Sequence, residues 1–166
     1  MKSCCSSSAS MNRGCLAASI ATGLAGMLAG GLSFGSFVDV RSLLLHVDKG
    51  NTDLIQSHFP IWWPCGRDYM VPLIGLSSLV HGMAYAMTKH SLWIGSGVTI
   101  FLIGPYTALV LGEDIETLRK SDTTEVSETT KRFCNLHHVR TGMALTALVC
   151  SLSAMGQQFR LSGSKS

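Results

Sequence analysis

Four stretches of the chain contain no Asp, Glu, Lys or Arg: residues 14–38, 69–88, 91–112 and 141–159. Each is close to the ~20 residues a helix needs to cross a bilayer. Apolar residues fill these runs on every side rather than along one stripe, which is the pattern of a helix surrounded by lipid or protein and not of a half-exposed soluble helix. The pattern predicts an all-α fold, an integral membrane bundle of four transmembrane helices, with spans over about 14–38, 69–88, 91–112 and 139–159. It divides the chain into a polar tail over 1–13 expected to be disordered, a transmembrane domain over 14–160, and a C-terminal tail over 161–166. The protein is expected to be a multi-pass membrane protein.

Composition agrees. Charged residues are 14% of the chain, against about 25% in soluble domains. The first run also follows Lys2 and Arg13 as a signal peptide would, but its 25 uncharged residues exceed the ~7–15 of a signal h-region, so a retained span is the better reading. The six cysteines include no CxxC pair, so neither a zinc site nor a thioredoxin-type motif is supported. Cys4 and Cys5 form an acylation candidate near a span. Cys65 and Cys134 fall in the two long loops and could bridge on an oxidising side. A scattered net charge of +3 gives no footprint for nucleic acid.

Four spans put both termini on one face and the long loops, one and three, on the other. The connection at Lys89-His90 is too short for anything but antiparallel neighbours. Residues 42–46 can extend the first helix past the interface. The loop side then collects Asp39, Arg41, Arg67, Asp68, Glu113, Asp114, His137, His138 and Arg140, along with all 10 acidic residues. Charges this close to hydrocarbon need partners. Arg140 is therefore expected to pair with Asp39, Asp68, Glu113 or Asp114, and Arg41 belongs to the same set of ion-pair candidates. A cluster that only anchors helix ends is the plainer alternative. Loops one and three hold eight Lys and Arg residues against five elsewhere, which favours that side as cytoplasmic. In the first loop, Trp62 and Trp63 stand between prolines. Such a pair suits the headgroup layer, or a lid over an aromatic ligand. Gly26-x-x-x-Gly30 and Gly31-x-x-x-Gly35 allow close helix approach, within the chain or at a dimer seam.

The candidate chemistry lies at the start of the fourth span. His137 and Arg140 are three apart and share a helical face. His138 projects about 100° away. Tyr106 and Thr107, near the end of the third span, belong at the same depth and are candidate substrate contacts, as are Trp62 and Trp63. His81 lies 12 residues into the second span, about 18 Å deep at 1.5 Å per residue. It cannot share a haem with His137 or His138, and a bond to Ser77 or Tyr85 on its own helix is expected.

Two segments resemble the anthrone oxygenase family, small four-span membrane proteins of anthraquinone pathways. Pro105-Tyr106-Thr107, with Leu111, Glu113-Asp114 and Leu118, is similar to that family's Pro-aromatic-Thr segment and the helix after it. Phe133-x-x-Leu136-His137-x-Val139-Arg140 is similar to its aromatic-x-x-x-His-x-x-Arg entry to the last span. The likeness covers about residues 23–155. Phe133 stands where Trp is common, and the neighbourhood of Leu118 is acidic where Asn is usual. The resemblance implies a cofactor-independent oxygenase of polycyclic phenolic substrates, using dioxygen with no metal or flavin. His137 would be the base and Arg140 the cation for the developing oxyanion. Membrane lipid, an apolar aromatic small molecule and dioxygen are the implied partners. A non-catalytic four-span scaffold for lipids or partners fits the same sequence, and so, less well, does a small transporter.

Overall fold

The structure is a computed structural model that describes residues 4–120 and 125–163. It is all-helical. Helix α1 covers Cys4–Phe34, passes through a five-residue π segment at Gly35–Asp39, and continues as α2 over Val40–Asp48. Then come α3 (Thr52–Thr88), α4 (Ser91–Val110), α5 (Gly112–Arg119) and α6 (Val126–Gly163). Four helical stretches are long and apolar enough to span a membrane: Arg13–Asp48, Thr52–Thr88, Ser91–Val110 and Val126–Gln158. The chain is a multi-pass membrane protein with the four spans its charge-free runs indicate.

The spans are longer than those runs. A charge ends an apolar stretch but does not end a helix, so α2 carries the first span to Asp48 and α6 begins 13 residues before residue 139. The segment expected as the first long loop is mostly the first half of α3, despite Pro60, Pro64 and Pro72 inside it. Each proline removes one backbone donor and would break an isolated helix. In a membrane bundle, neighbouring helices and side chains re-satisfy the freed groups, and the helix persists. The N-terminal tail differs too. Residues 4–13 are the first turns of α1, with no Gly or Pro before Gly14 to stop them. Residues 1–3, 121–124 and 164–166 lie outside the described residues.

α3 closes at Lys89, which takes a left-handed φ of 58° and caps the carbonyl of Tyr85. This is the tight α3–α4 turn read from Lys89-His90. His90 Nε2 bonds Gln157 Oε1 at 2.8 Å, and Gln158 reaches Cys15. The turn, the start of the first span and the end of the last therefore share one end of the bundle.

Three apolar clusters stack along the axis. Ala17, Ala21, Ala84, Trp93 and Ala154 fill the turn end. Leu28, Leu32, Leu73, Ile100, Ile103 and Ala147 fill the middle. Val40, Ile55, Phe59, Leu111, Leu118 and Phe133 fill the opposite end. Small residues bring α1 close to its neighbours. A Cβ at Gly35 would stand 3.2 Å from His137 Nε2, and one at Gly26 would touch Leu148 at 3.9 Å, whereas Gly30 faces open space. The glycine spacing thus serves packing within the chain at Gly26, Gly31 and Gly35.

Candidate functional site

Between the middle cluster and the upper one lies a cavity of about 300 Å³. This is the lower end of the ~300–1,000 Å³ typical of small-molecule sites. Its wall includes His137, Arg140, Thr107, Trp62, Trp63 and Asp39, among mostly apolar side chains such as Leu28, Leu32, Met70 and Ile103. Helical spacing alone brings the first pair together. His137 and Arg140 are one turn apart on α6, 4% and 6% exposed.

Arg140 sets the electrostatics. Its Nη2 donates to His137 Nδ1, its Nη1 donates to Thr107 Oγ1 at 3.4 Å, and its guanidinium lies 5.6 Å from the ring centre of Trp63. Its Nε is buried with no hydrogen-bond partner among the described residues. The acidic partner expected from Asp39, Asp68, Glu113 or Asp114 is not there, since no carboxylate lies within 4.0 Å of Arg140 among the described residues. Each candidate has another place. Asp39, on the π segment, lies beside Trp62 on the cavity wall. Asp68 pairs with its neighbour Arg67 at 2.7 Å. Asp114, in the first turn of α5, faces Arg132 at 3.6 Å. Glu113 and Arg41 are exposed. Backbone direction accounts for the misses: α5 turns Asp114 toward the start of α6, about two turns before Arg140.

A guanidinium has no acceptor, so the Nδ1 it addresses must carry the lone pair. His137 is then the Nε2–H tautomer, with Nε2 donating to the Leu32 carbonyl at 3.4 Å. Thr141 supports that carbonyl from the next turn at 3.2 Å and is held by Ser36 at 2.7 Å. His138 is exposed and points elsewhere.

Trp62 and Trp63 are helical and not loop residues. They sit on α3, half-buried, in an aromatic group with Phe59 and Phe133. Phe59 stacks on Trp63 at 6.0 Å and meets Phe133 edge-on at 5.3 Å. Spacing of three and four along α3 stacks these rings, a signal that the prolines mask. Tyr106 does not line the cavity. It packs against the upper cluster and donates to the Leu136 carbonyl at 3.4 Å. Cys65 is exposed, Cys134 is buried, and both are free, so they form no bridge.

Two features lie outside the sequence reading. A second cavity of about 260 Å³, lined by His46, His58 and Ser42, shares Asp39 and Trp62 with the first. Asp39 and Trp62 form the partition between them. At the other end of the bundle, His81 joins three helices. Its Nδ1 meets the Ser77 carbonyl at 2.7 Å, and its Nε2 meets Ser151 Oγ at 2.9 Å, which in turn meets Ser96 Oγ at 2.8 Å. Ser77 is the partner expected, Tyr85 is not, and the links to α4 and α6 were hidden in apolar runs. Among the described residues, no group of three or more His, Cys, Asp and Glu side chains could hold a metal ion.

No family model, curated protein or solved structure matches this chain.

Proposed function

We propose that the protein is a membrane oxygenase acting without a cofactor on a polycyclic phenol, of the kind that the segment around His137 and Arg140 resembles. One observation carries this reading: a buried histidine and a buried arginine, bonded to each other, form the polar end of an apolar, aromatic-walled cavity. A scaffold needs no such cavity. A transporter needs polar groups through the depth of the bundle, and His81 sits in a separate cluster with Ser77, Ser96 and Ser151.

The chemistry suits a ring CH₂ made acidic by a conjugated carbonyl. In the resting site Arg140 occupies the Nδ1 lone pair of His137. A substrate oxygen competes for the same guanidinium. When it wins, Nδ1 is freed beside the substrate and takes one proton from the CH₂, while Arg140 holds the resulting enolate oxyanion. The carbanion passes one electron to dioxygen, and the radical pair closes to a C–O bond. The peroxide anion takes the proton back from His137. Loss of the distal oxygen as water, with the second ring proton, leaves a ketone. The carbon is oxidised from CH₂ to C=O, dioxygen supplies the carbonyl oxygen and the water, and no external reductant is consumed.

The test is oxygen consumption by purified protein in detergent with a panel of anthrones. A rate above the uncatalysed oxidation, with one dioxygen used per quinone formed, supports the proposal. No rate above background for any member ends it.

A further inference from the structure

Arg140 is 6% exposed, its partners are a threonine hydroxyl, a neutral imidazole and a tryptophan face, and its Nε has none among the described residues. A charge buried without a counter-charge is strongly unfavourable. Deleting the charge from such a site normally stabilises a bundle, so the cation has to be accounted for by what the cavity receives. The only carboxylate on the cavity wall among the described residues, Asp39, lies more than 4.0 Å from the guanidinium. The rest of the wall is mostly apolar or aromatic, apart from Thr107, His137 and Arg67, whose guanidinium is paired with Asp68.

The cavity also has a side facing the bilayer. Val71 on α3 is 60% exposed and Ala108 on α4 is exposed, and both line it. Gly66 on α3 and Gly104 on α4 line it as well and add no side chain to close the gap. The ligand therefore has one charged end at Arg140 and a body that can lie against hydrocarbon.

We infer that the cavity binds a flat, fused-ring aromatic anion, with its ionised oxygen on Arg140 and its rings against Trp63, and that it does so whether or not the ligand is then oxidised. The inference rests on the site proposed above, but not on its reaction. A carboxylate and a phenolate share the needed chemistry, an oxyanion on a planar apolar frame. The planar fork of arginine offers such an oxygen two donors at once.

The experiment is equilibrium binding read by tryptophan fluorescence in detergent, without turnover. Anthracene-9-carboxylate and its neutral counterpart 9-anthracenemethanol are titrated separately, with correction for absorption by the rings. Neither carries a ring CH₂ to oxidise. The expected result is that the carboxylate binds wild-type protein at least about tenfold more tightly than the alcohol, the scale of one charge-assisted hydrogen bond. Arg140→Gln should abolish the preference, and Arg140→Lys should keep part of it. Equal affinity of the two probes for wild-type protein overturns the inference without any variant, so the test survives if Arg140→Gln does not fold. A preference retained in folded Arg140→Gln also overturns it, by placing the charge recognition elsewhere. Selective binding with no oxygen uptake on anthrones would leave this inference standing and remove the oxygenase. Oxygen uptake with no preference between the probes would do the reverse.

Discussion

Arg140 donates to the Nδ1 of His137 one helical turn before it, and so covers the only ring nitrogen of that histidine able to accept a proton. The two groups are partners at rest and must part for either to serve a substrate. His137→Ala should therefore lower turnover by about 10²–10⁴, the usual loss for a general base. His138→Ala should leave the rate near wild type, because His138 faces away from the cavity. Initial rates of dioxygen uptake on the best anthrone decide it. Equal rates for His137→Ala and wild type would leave the site without its base.

If ligands reach the cavity from the bilayer, the gap between α3 and α4 is the route. Ala108→Trp puts a large ring at that mouth and should slow uptake of a substrate supplied in vesicles by about tenfold or more, on the scale of a lost favourable contact. Ile94→Trp, equally lipid-facing but remote from the cavity, should not. Both variants are compared at one protein-to-lipid ratio. Matching rates would move the access route elsewhere.

Gly97 lies where α4 crosses His81. A Cβ there would stand 2.9 Å from His81 Cβ, the rigid root of a side chain fixed by bonds to Ser77 on its own helix and to Ser151 on α6. Gly97→Ala should destabilise the bundle by about 1–3 kcal/mol, the cost of an overpacked core. Thermal unfolding in detergent measures this. Turnover per folded molecule should be unchanged, since the His81 cluster and the cavity share no residue.

Asp114 supplies a pH dependence outside the spans. Burial raises its carboxyl above the ordinary 3.8 and Glu113 adds to this, while Arg132 opposes it. A carboxyl raised by folding favours the protonated form in the native state. Its ionisation therefore removes stability as pH rises from about 3.8 through the folded value, and imposes nothing below 3.8. Asp114→Asn should flatten the unfolding midpoint across that window. Arg132→Ala should steepen its decline. A midpoint rising with pH in wild type, and flat in Asp114→Asn, would reverse the sign assigned here.

The spans were legible because absence of charge over twenty residues has one common physical cause. The helix ends were not, because charge marks the edge of hydrocarbon and helices run past it. Pro60 and Pro64 hid the first half of α3, and with it the stacking of Phe59 on Trp63. His137 and Arg140 could be placed together from a spacing of three on one helix, as Thr107 could from the depth of its span. Arg140's lack of a carboxylate could not be foreseen, because it depends on the direction in which α5 leaves the bundle. The contacts of Ser96 and Ser151 were equally out of reach. Each is a lone serine in an apolar run, and only the register between α3, α4 and α6 brings them to His81.

The π segment at Gly35–Asp39 confines the effect of a one-residue deletion in the first span to a single turn. It holds one residue more per turn than the helix on either side, with the Val40 amide bonding back five residues to Gly35. Loss of one residue from this segment would let an ordinary helix resume with everything after it on the faces it already occupies, because about five residues of π-helix cover the turn and rise of about four of α-helix. Val40 would keep its place in the cluster with Phe133, and the loss would fall on the segment's own side chains, such as Ser36, which holds Thr141 at 2.7 Å, and Asp39 on the cavity wall. Gly35 itself presses on His137, so no neighbouring residue could take its place without a Cβ meeting the ring. A frame-preserving loss of three nucleotides within 35–39 would thus fall on the turn beside His137 and leave the rest of the helix, and the bundle it packs in, in place.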